Sequence, residues 1–250
     1  MKEDWIYGIH VLQSFLEQSP ERILEIYLVE NRQDKRIEEI KAAAKTLGIA
    51  IKIVNKKQFA LFKDETIAHQ GVAARVRLKN NLDEHELMTL ITSLNTQALL
   101  LVLDNIQDPH NLGACLRTAD AVGVHAVIIP KHRSAKVNAT VRKVASGAAE
   151  SVPIVEVTNL VRCLDVLKKQ GVWILGATAE PTASVFETDL KGPVALVFGA
   201  EDTGMRRLTA ETCDALLRIP MVGVVKSLNV SVATSVCLYE AFRQRNRENT

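Results

Sequence analysis

Six apolar runs constrain this chain more than any other feature: Ala98–Leu103, Ala126–Ile129, Val152–Val155, Val172–Gly176, Val194–Phe198 and Ala215–Ile219. Within each run the apolar residues follow one another instead of alternating with polar ones. A strand with one wet face alternates with period two, whereas a strand covered on both faces has no reason to. Helical patterns separate the runs. The carboxy-terminal part therefore reads as a parallel sheet with helices on both faces. Its last segment, Val230–Arg245, reads as a helix that docks a face containing Val232, Val236, Tyr239 and Phe242.

The amino-terminal part is a smaller α/β unit. Ile9–Glu17 has a helical pattern, and Leu24–Val29, Ile49–Val54 and Val72–Val76 read as strands. Asp34–Leu47 reads as a helix stopped by Gly48, the usual place for a residue that tolerates positive φ. The polar stretch 78–85 leads into a short helix over about 84–94. The expected organisation is a small domain over 1–78, a linker and short helix over 79–97, and the sheet domain over 98–250.

Composition narrows the function classes. With 47% hydrophobic and 24% charged residues in 250, the chain can bury a core and is not a disordered tail. No apolar run is long enough to span a membrane, and no such run follows Met1–Asp4, so a cytoplasmic protein without a signal peptide is expected. The four cysteines, at 115, 163, 213 and 237, show no C-x-x-C spacing and read as buried thiols, not zinc ligands. A net charge of +2 permits a nucleic-acid partner without requiring one. Lys131, Arg133, Lys136, Arg142 and Lys143 lie in a stretch free of acids, either a phosphate-neutralising patch or a solvated face. The dinucleotide glycine fingerprint, the phosphate loop, H-E-x-x-H and G-x-S-x-G are all missing.

Three strand-to-loop junctions carry the polar residues that could do chemistry. After Leu103 a polar loop leads to Asn111, which reads as a helix N-cap. That helix has a buried stripe of Leu112, Cys115, Leu116 and Ala119, with Arg117 off the stripe. After Phe198 comes a glycine-flanked turn, Gly199-Ala200-Glu201-Asp202-Thr203-Gly204. After Ile219-Pro220 a glycine-containing loop runs to Ser227, Leu228, Asn229 and Ser231. Capping accounts for one polar residue of this third group, not for all of them. In open parallel sheets such loops surround the crevice where ligands bind.

Taken in order, N-L-G-x-x-x-R-T, G-x-E-x-x-G-M and I-P-M-x-G-x-x-x-S-L-N-V-S resemble the three motifs of the SpoU (TrmH) family of RNA 2'-O-ribose methyltransferases in the SPOUT superfamily. The likeness extends over nearly the whole chain. Tyr7–His10 and His69–Val72 resemble the family's amino-terminal substrate-binding domain, which is similar to the ribosomal protein L30e fold. Asp108–Arg117, Val137–Pro153 and Ser227–Ala233 are similar to the bacterial members that act on a guanosine in the peptidyl-transferase loop of 23S rRNA. One position departs from the commonest pattern: Asp202 stands where the second motif usually has a glycine.

The resemblance implies a parallel sheet threaded into a trefoil knot, S-adenosyl-L-methionine as cofactor, a homodimer, and neither metal nor membrane. It assigns Asn111, Arg117, Glu201, Ser227 and Asn229 to catalysis, with Glu201 able to pair with Arg117. It assigns Gly199, Ile219 and Leu228 to the cofactor pocket. The reaction is attack of a ribose 2'-oxygen on a sulfonium methyl. Arginine side chains stay protonated in proteins, so Arg117 is expected to stabilise developing alkoxide charge or hold a phosphate before acting as a base. Two other readings stay open: a tRNA ribose methyltransferase of the same family, and a noncatalytic RNA-binding ribosome-assembly protein.

Overall fold

The computed structural model describes residues 3–30, 34–60, 69–180, 183–200 and 202–246. The chain forms two units. One comprises residues 1–80 with 137–151, the other 81–136 with 152–250.

The first unit starts with β1 (Glu3–Tyr7), α1 (Ile9–Gln18), β2 (Ile23–Val29), α2 (Lys35–Thr46), β3 (Ile51–Val54), α3 (Lys56–Ala60) and β4 (Val72–Arg77). The sheet order is β1-β4-β2-β3. β2 and β3 are parallel because α2 carries the chain back between them, whereas β4 is antiparallel to both β1 and β2. Asp34 caps α2 by accepting the Ile37 N–H at 3.3 Å, and Gly48 takes the left-handed stop at φ +68°. Phe15, Ile26, Ile37 and Ile40 pack in the core. The two stretches quoted for the amino-terminal resemblance meet: Gly8 N–H donates to the Val72 carbonyl at 3.0 Å, and the Gln70 side chain accepts the Ile9 N–H at 3.2 Å.

The second unit contains α4 (Glu84–Ser93), β5 (Leu99–Asp104), α5 (Pro109–Ala121) and β6 (Ala126–Pro130). The chain then supplies α6 (Ala139–Ala145) and α7 (Ala148–Ser151) to the first unit. It returns as β7 (Ile154–Val157), α8 (Leu160–Lys169), β8 (Trp173–Ala177), β9 (Ala183–Ser184), β10 (Val194–Gly199), α9 (Arg207–Thr212), β11 (Ala215–Arg218) and α10 (Val230–Arg245). Seven strands pair in the order β7-β6-β5-β10-β8-β11-β9, all parallel. Every residue of β5 and β6 is buried, as continuous apolar runs require. Leu87 of α4 and Cys163, Leu164 and Leu167 of α8 pack on Leu100, Val102, Ile128 and Val197.

Residues 137–151, which lie within the sheet domain in sequence, pack with the first unit through a buried cluster of Arg22, Arg142 and Glu150. Three expectations change. Arg142 belongs to that cluster and is buried against Glu150, so it is no phosphate-facing cation. Cys213 is half-buried, whereas Cys115, Cys163 and Cys237 are buried. The face of α10 that packs inward is Val230, Thr234, Cys237, Leu238 and Ala241. Val232, Tyr239 and Phe242 instead stand 47%, 52% and 40% exposed. Its inner face meets α5 at short range, through Thr118 and Ser235 hydroxyls 2.9 Å apart and a Cys115 thiol donating to Thr234 Oγ1 at 3.7 Å. Small side chains there let the helices approach, and the bulkier residues are left outside.

Candidate active site

Strand order places the crevice. From β5 the chain moves to β6 on one side, while from β10, its other neighbour, it moves through α9 to β11 on the other side. The loops after β5 and β10 therefore diverge at their carboxyl ends, the switch point where open α/β sheets bind ligands. A cleft of about 330 Å³ opens there, lined by Asn105, Gln107, Asp108, Asn111, Asp202 and Thr203 among others. It brings together the loop after β5, the turn after β10 and, through Val230, the start of α10.

Asn111 is not the cap of α5. Pro109 starts the helix with its fixed φ, and Asp108 caps it by accepting the His110 N–H at 2.8 Å. Asn111 thus sits inside the first turn, buried, where its Oδ1 accepts a hydrogen bond from Asn229 Nδ2 at 3.1 Å. Asn229 is the true cap of α10, accepting the Ser231 N–H at 2.9 Å. The first and third motifs therefore meet through this amide pair.

Arg117 lies elsewhere on the same helix. Six residues beyond Asn111 is about 9 Å along the axis and about 240° around it. Its side chain is exposed, and no described residue forms a hydrogen bond or ion pair with it. Leu112, Cys115, Leu116 and Ala119 form the buried stripe as expected. Ser227 and Leu228 are exposed in the loop before α10, and Ile219 is half-buried just beyond β11. Gly199 ends β10, with its register partner Asp104 ending β5 beside it. Glu201 lies outside the described residues.

Sequence reasoning missed Asp104, Arg206 and Asn105. The Asp104 carboxylate is fully buried and takes three contacts from Arg206: the backbone N–H at 3.0 Å, Nε at 2.7 Å and Nη2 at 2.6 Å. Asn105 follows at φ +68°, and its buried amide oxygen meets no hydrogen-bond donor among the described residues. A carboxylate closing an apolar strand was the available signal, but its partner is 102 residues away.

Other chemistries fit poorly. Burial pushes the Cys163 and Cys237 thiols up to about 12. Burial, helped by the Asp214 charge, takes Cys213 to about 11, so these three are not thiolate nucleophiles near neutral pH. His125 accepts the Leu99 N–H at 3.0 Å at the opposite end of the sheet, and burial lowers its basicity. Among the described residues no group of three His, Cys, Asp or Glu side chains could hold a metal ion, and no helix is long and apolar enough to cross a membrane.

A doubly covered parallel sheet whose motif loops converge on one polar crevice is the architecture of an α/β enzyme. The model of the SpoU rRNA methylase family matches residues 98–239, and that of the RNA 2'-O ribose methyltransferase substrate-binding domain matches 5–82. The chain belongs to the SpoU rRNA methylase family. It is 51% identical over 243 residues to the 23S rRNA (guanosine-2'-O-)-methyltransferase RlmB of Escherichia coli strain K12, covering 97% of this chain and 99% of that protein. The AdoMet complex of the SpoU methyltransferase AviRb from Streptomyces viridochromogenes matches the fold with a TM-score of 0.81 at 22% identity, over 98% of this chain and 91% of that one. The A. aeolicus TrmH/SpoU tRNA modifying enzyme is 34% identical, with a TM-score of 0.57 over 66% of this chain and 85% of its own.

Proposed function

We infer that this protein transfers the methyl group of S-adenosyl-L-methionine to the ribose 2'-hydroxyl of a guanosine in the peptidyl-transferase loop of 23S rRNA, in the cytoplasm. The observation that carries this reading is the 51% identity to RlmB over 97% of the chain, with all three motifs gathered at the ends of one sheet. The tRNA alternative rests on a relative that is 34% identical and matches 66% of the chain. The trefoil threading of the carboxy-terminal part belongs to this reading.

The crevice adjoins the turn after β10 that begins at Gly199, but Gly199, Ile219 and Leu228 are not part of its lining. Among the described residues that lining carries two carboxylates, Asp108 and Asp202, with several amide or hydroxyl groups and no cationic side chain, surroundings that favour a nearby sulfonium cation. When bound, S-adenosyl-L-methionine supplies an electrophilic methyl group and a neutral leaving group. Backbone groups of Gly199, Ile219 and Leu228 would hold it. Asn111 and Asn229 would fix the acceptor ribose, together with Ser227 and Glu201. Arg117 would stabilise the developing 2'-alkoxide. Such positioning can lower a barrier by about 7–11 kcal/mol at best.

Arg117 stands apart from the amide pair, which is consistent with a site completed by a second copy of the chain. Val232, Tyr239 and Phe242 on α10 and the neighbouring Phe186 offer that copy an exposed apolar face. Wild-type protein is expected to sediment as a homodimer, and Val232→Asp with Phe242→Asp as a monomer. A monomeric wild type that remains active would rule this assembly out.

Labelled methyl transfer from S-adenosyl-L-methionine to protein-free 23S rRNA and to tRNA tests the function. Label is expected on one 23S rRNA guanosine ribose. Label on tRNA alone would select the alternative substrate, and a chain that binds the cofactor yet labels neither RNA is not a methyltransferase.

A further inference from the structure

We propose that Asp104 and Arg206 are positioning residues that set the cofactor-binding turn after β10. This rests on reading Gly199 as part of the cofactor pocket. The turn has two arms, Gly199–Ala200 going out and Gly204–Met205 coming back. Ala200 N–H donates to the Gly204 carbonyl at 3.1 Å, and Gly204 N–H donates to the Ala200 carbonyl at 2.8 Å. The returning arm lies directly on the outgoing one. A Cβ built on Gly199 would fall 2.0 Å from both Gly204 C and Met205 N, so no side chain fits there.

The outgoing arm is fixed by pairing of β10 with β5, since Gly199 stands beside Asp104 in register. Among the described residues the returning arm pairs with the outgoing arm at Gly204 and with no strand of the sheet. It is fixed at Arg206, whose backbone N–H and guanidinium both bind the Asp104 carboxylate. One buried carboxylate on a central strand thus anchors the exit of the turn next to its start. Charge-assisted hydrogen bonds of this kind are short and directional, which suits a backbone that must present its own groups to a ligand.

A second carboxylate provides a control at the other end of the sheet. Asp214 accepts the Ile174 N–H at 2.9 Å and pairs with Lys168 at 2.9 Å, where β8 begins. Both Asp104→Asn and Asp214→Asn weaken a charge-assisted anchor of the same sheet. The expected result, by calorimetric titration with S-adenosyl-L-methionine, is a rise in Kd of about tenfold or more for Asp104→Asn and no change for Asp214→Asn. Arg206→Lys keeps the charge and the backbone donor but loses the fork, and a smaller rise of about threefold is expected. In turnover assays the loss should appear in KM for the cofactor and not in KM for RNA.

Melting temperatures separate positioning from folding, because a purely structural anchor would move cofactor affinity only in step with stability. Equal Kd shifts in Asp104→Asn and Asp214→Asn at matched melting temperature would overturn the proposal. So would unchanged affinity in Arg206→Lys, the variant that decides the matter if Asp104→Asn fails to fold. A wild-type chain that binds no S-adenosyl-L-methionine would overturn the cofactor reading together with the clamp, whereas wild-type binding with unshifted variants overturns the clamp alone.

Discussion

Replacing Arg117 with alanine is expected to lower the single-turnover rate of methyl transfer by about 10²–10³-fold, the usual cost of losing one transition-state donor. Cofactor affinity and folding should hardly change. The side chain is exposed, bonds to no described residue, and stands off the buried stripe of α5. Surface substitutions of that kind shift stability by about 0.5 kcal/mol or less. Arg117→Lys keeps a cation but loses the planar fork, so a partial loss is expected. The pH profile distinguishes the two roles open to an arginine here. A charge stabiliser replaced by lysine leaves the profile in place, and a general base replaced by lysine moves it toward acid. The first outcome is expected. An alanine variant with wild-type turnover would remove Arg117 from the reaction.

The strands were legible because burial on both faces leaves its mark residue by residue. Val194–Phe198 and Ala126–Ile129 need only one further residue each to become β10 and β6. α2 was legible from local chemistry, Asp34 at one end and Gly48 at the other. The start of α5 was misread by three residues because Asn111 and Asp108 are both good caps, and only Pro109 decides between them. The exposed face of α10 was misread for a different reason. Its apolar residues satisfy a helical period on two sides, and the side that packs is chosen by the small residues opposite α5, which period alone does not reveal. Of the candidate site, resemblance named the motif residues, and the structure joins two of them, Asn111 and Asn229, by one bond across 118 residues. Asp104 and Arg206 escaped because each is ordinary in its own neighbourhood. Their meaning comes from the pairing of β5 with β10.

Replacing Glu150 with alanine is expected to destabilise the first unit by about 3–5 kcal/mol, the range for breaking a buried ion pair from one side. The Glu150 side chain is 2% exposed and holds two arginines, Arg22 Nη2 at 2.7 Å and Arg142 Nε at 2.9 Å. Neither arginine can turn to water cheaply. Arg22 Nε also donates to the Arg77 carbonyl at 2.8 Å, with its guanidinium 5.1 Å from the Phe15 ring centre. Arg142 Nη1 donates to the Val137 carbonyl at 2.6 Å. Removing the carboxylate leaves two buried cations facing each other. Domains of ordinary size have about 5–15 kcal/mol in total, so the loss should be visible as a lower urea midpoint. The two tryptophans allow the units to be followed separately, since Trp5 lies in the first and Trp173 in the second. With Trp173→Phe in place, the Trp5 signal should move to lower urea when Glu150 is replaced. With Trp5→Phe in place, the Trp173 signal should stay put. A shift confined to Trp173 would mean that 137–151 is anchored by the sheet that flanks it in sequence. The close approach at Gly147 argues otherwise: at φ +104° a Cβ there would lie 2.5 Å from Ser14 Oγ, so the segment is seated on α1 by shape as well as by charge.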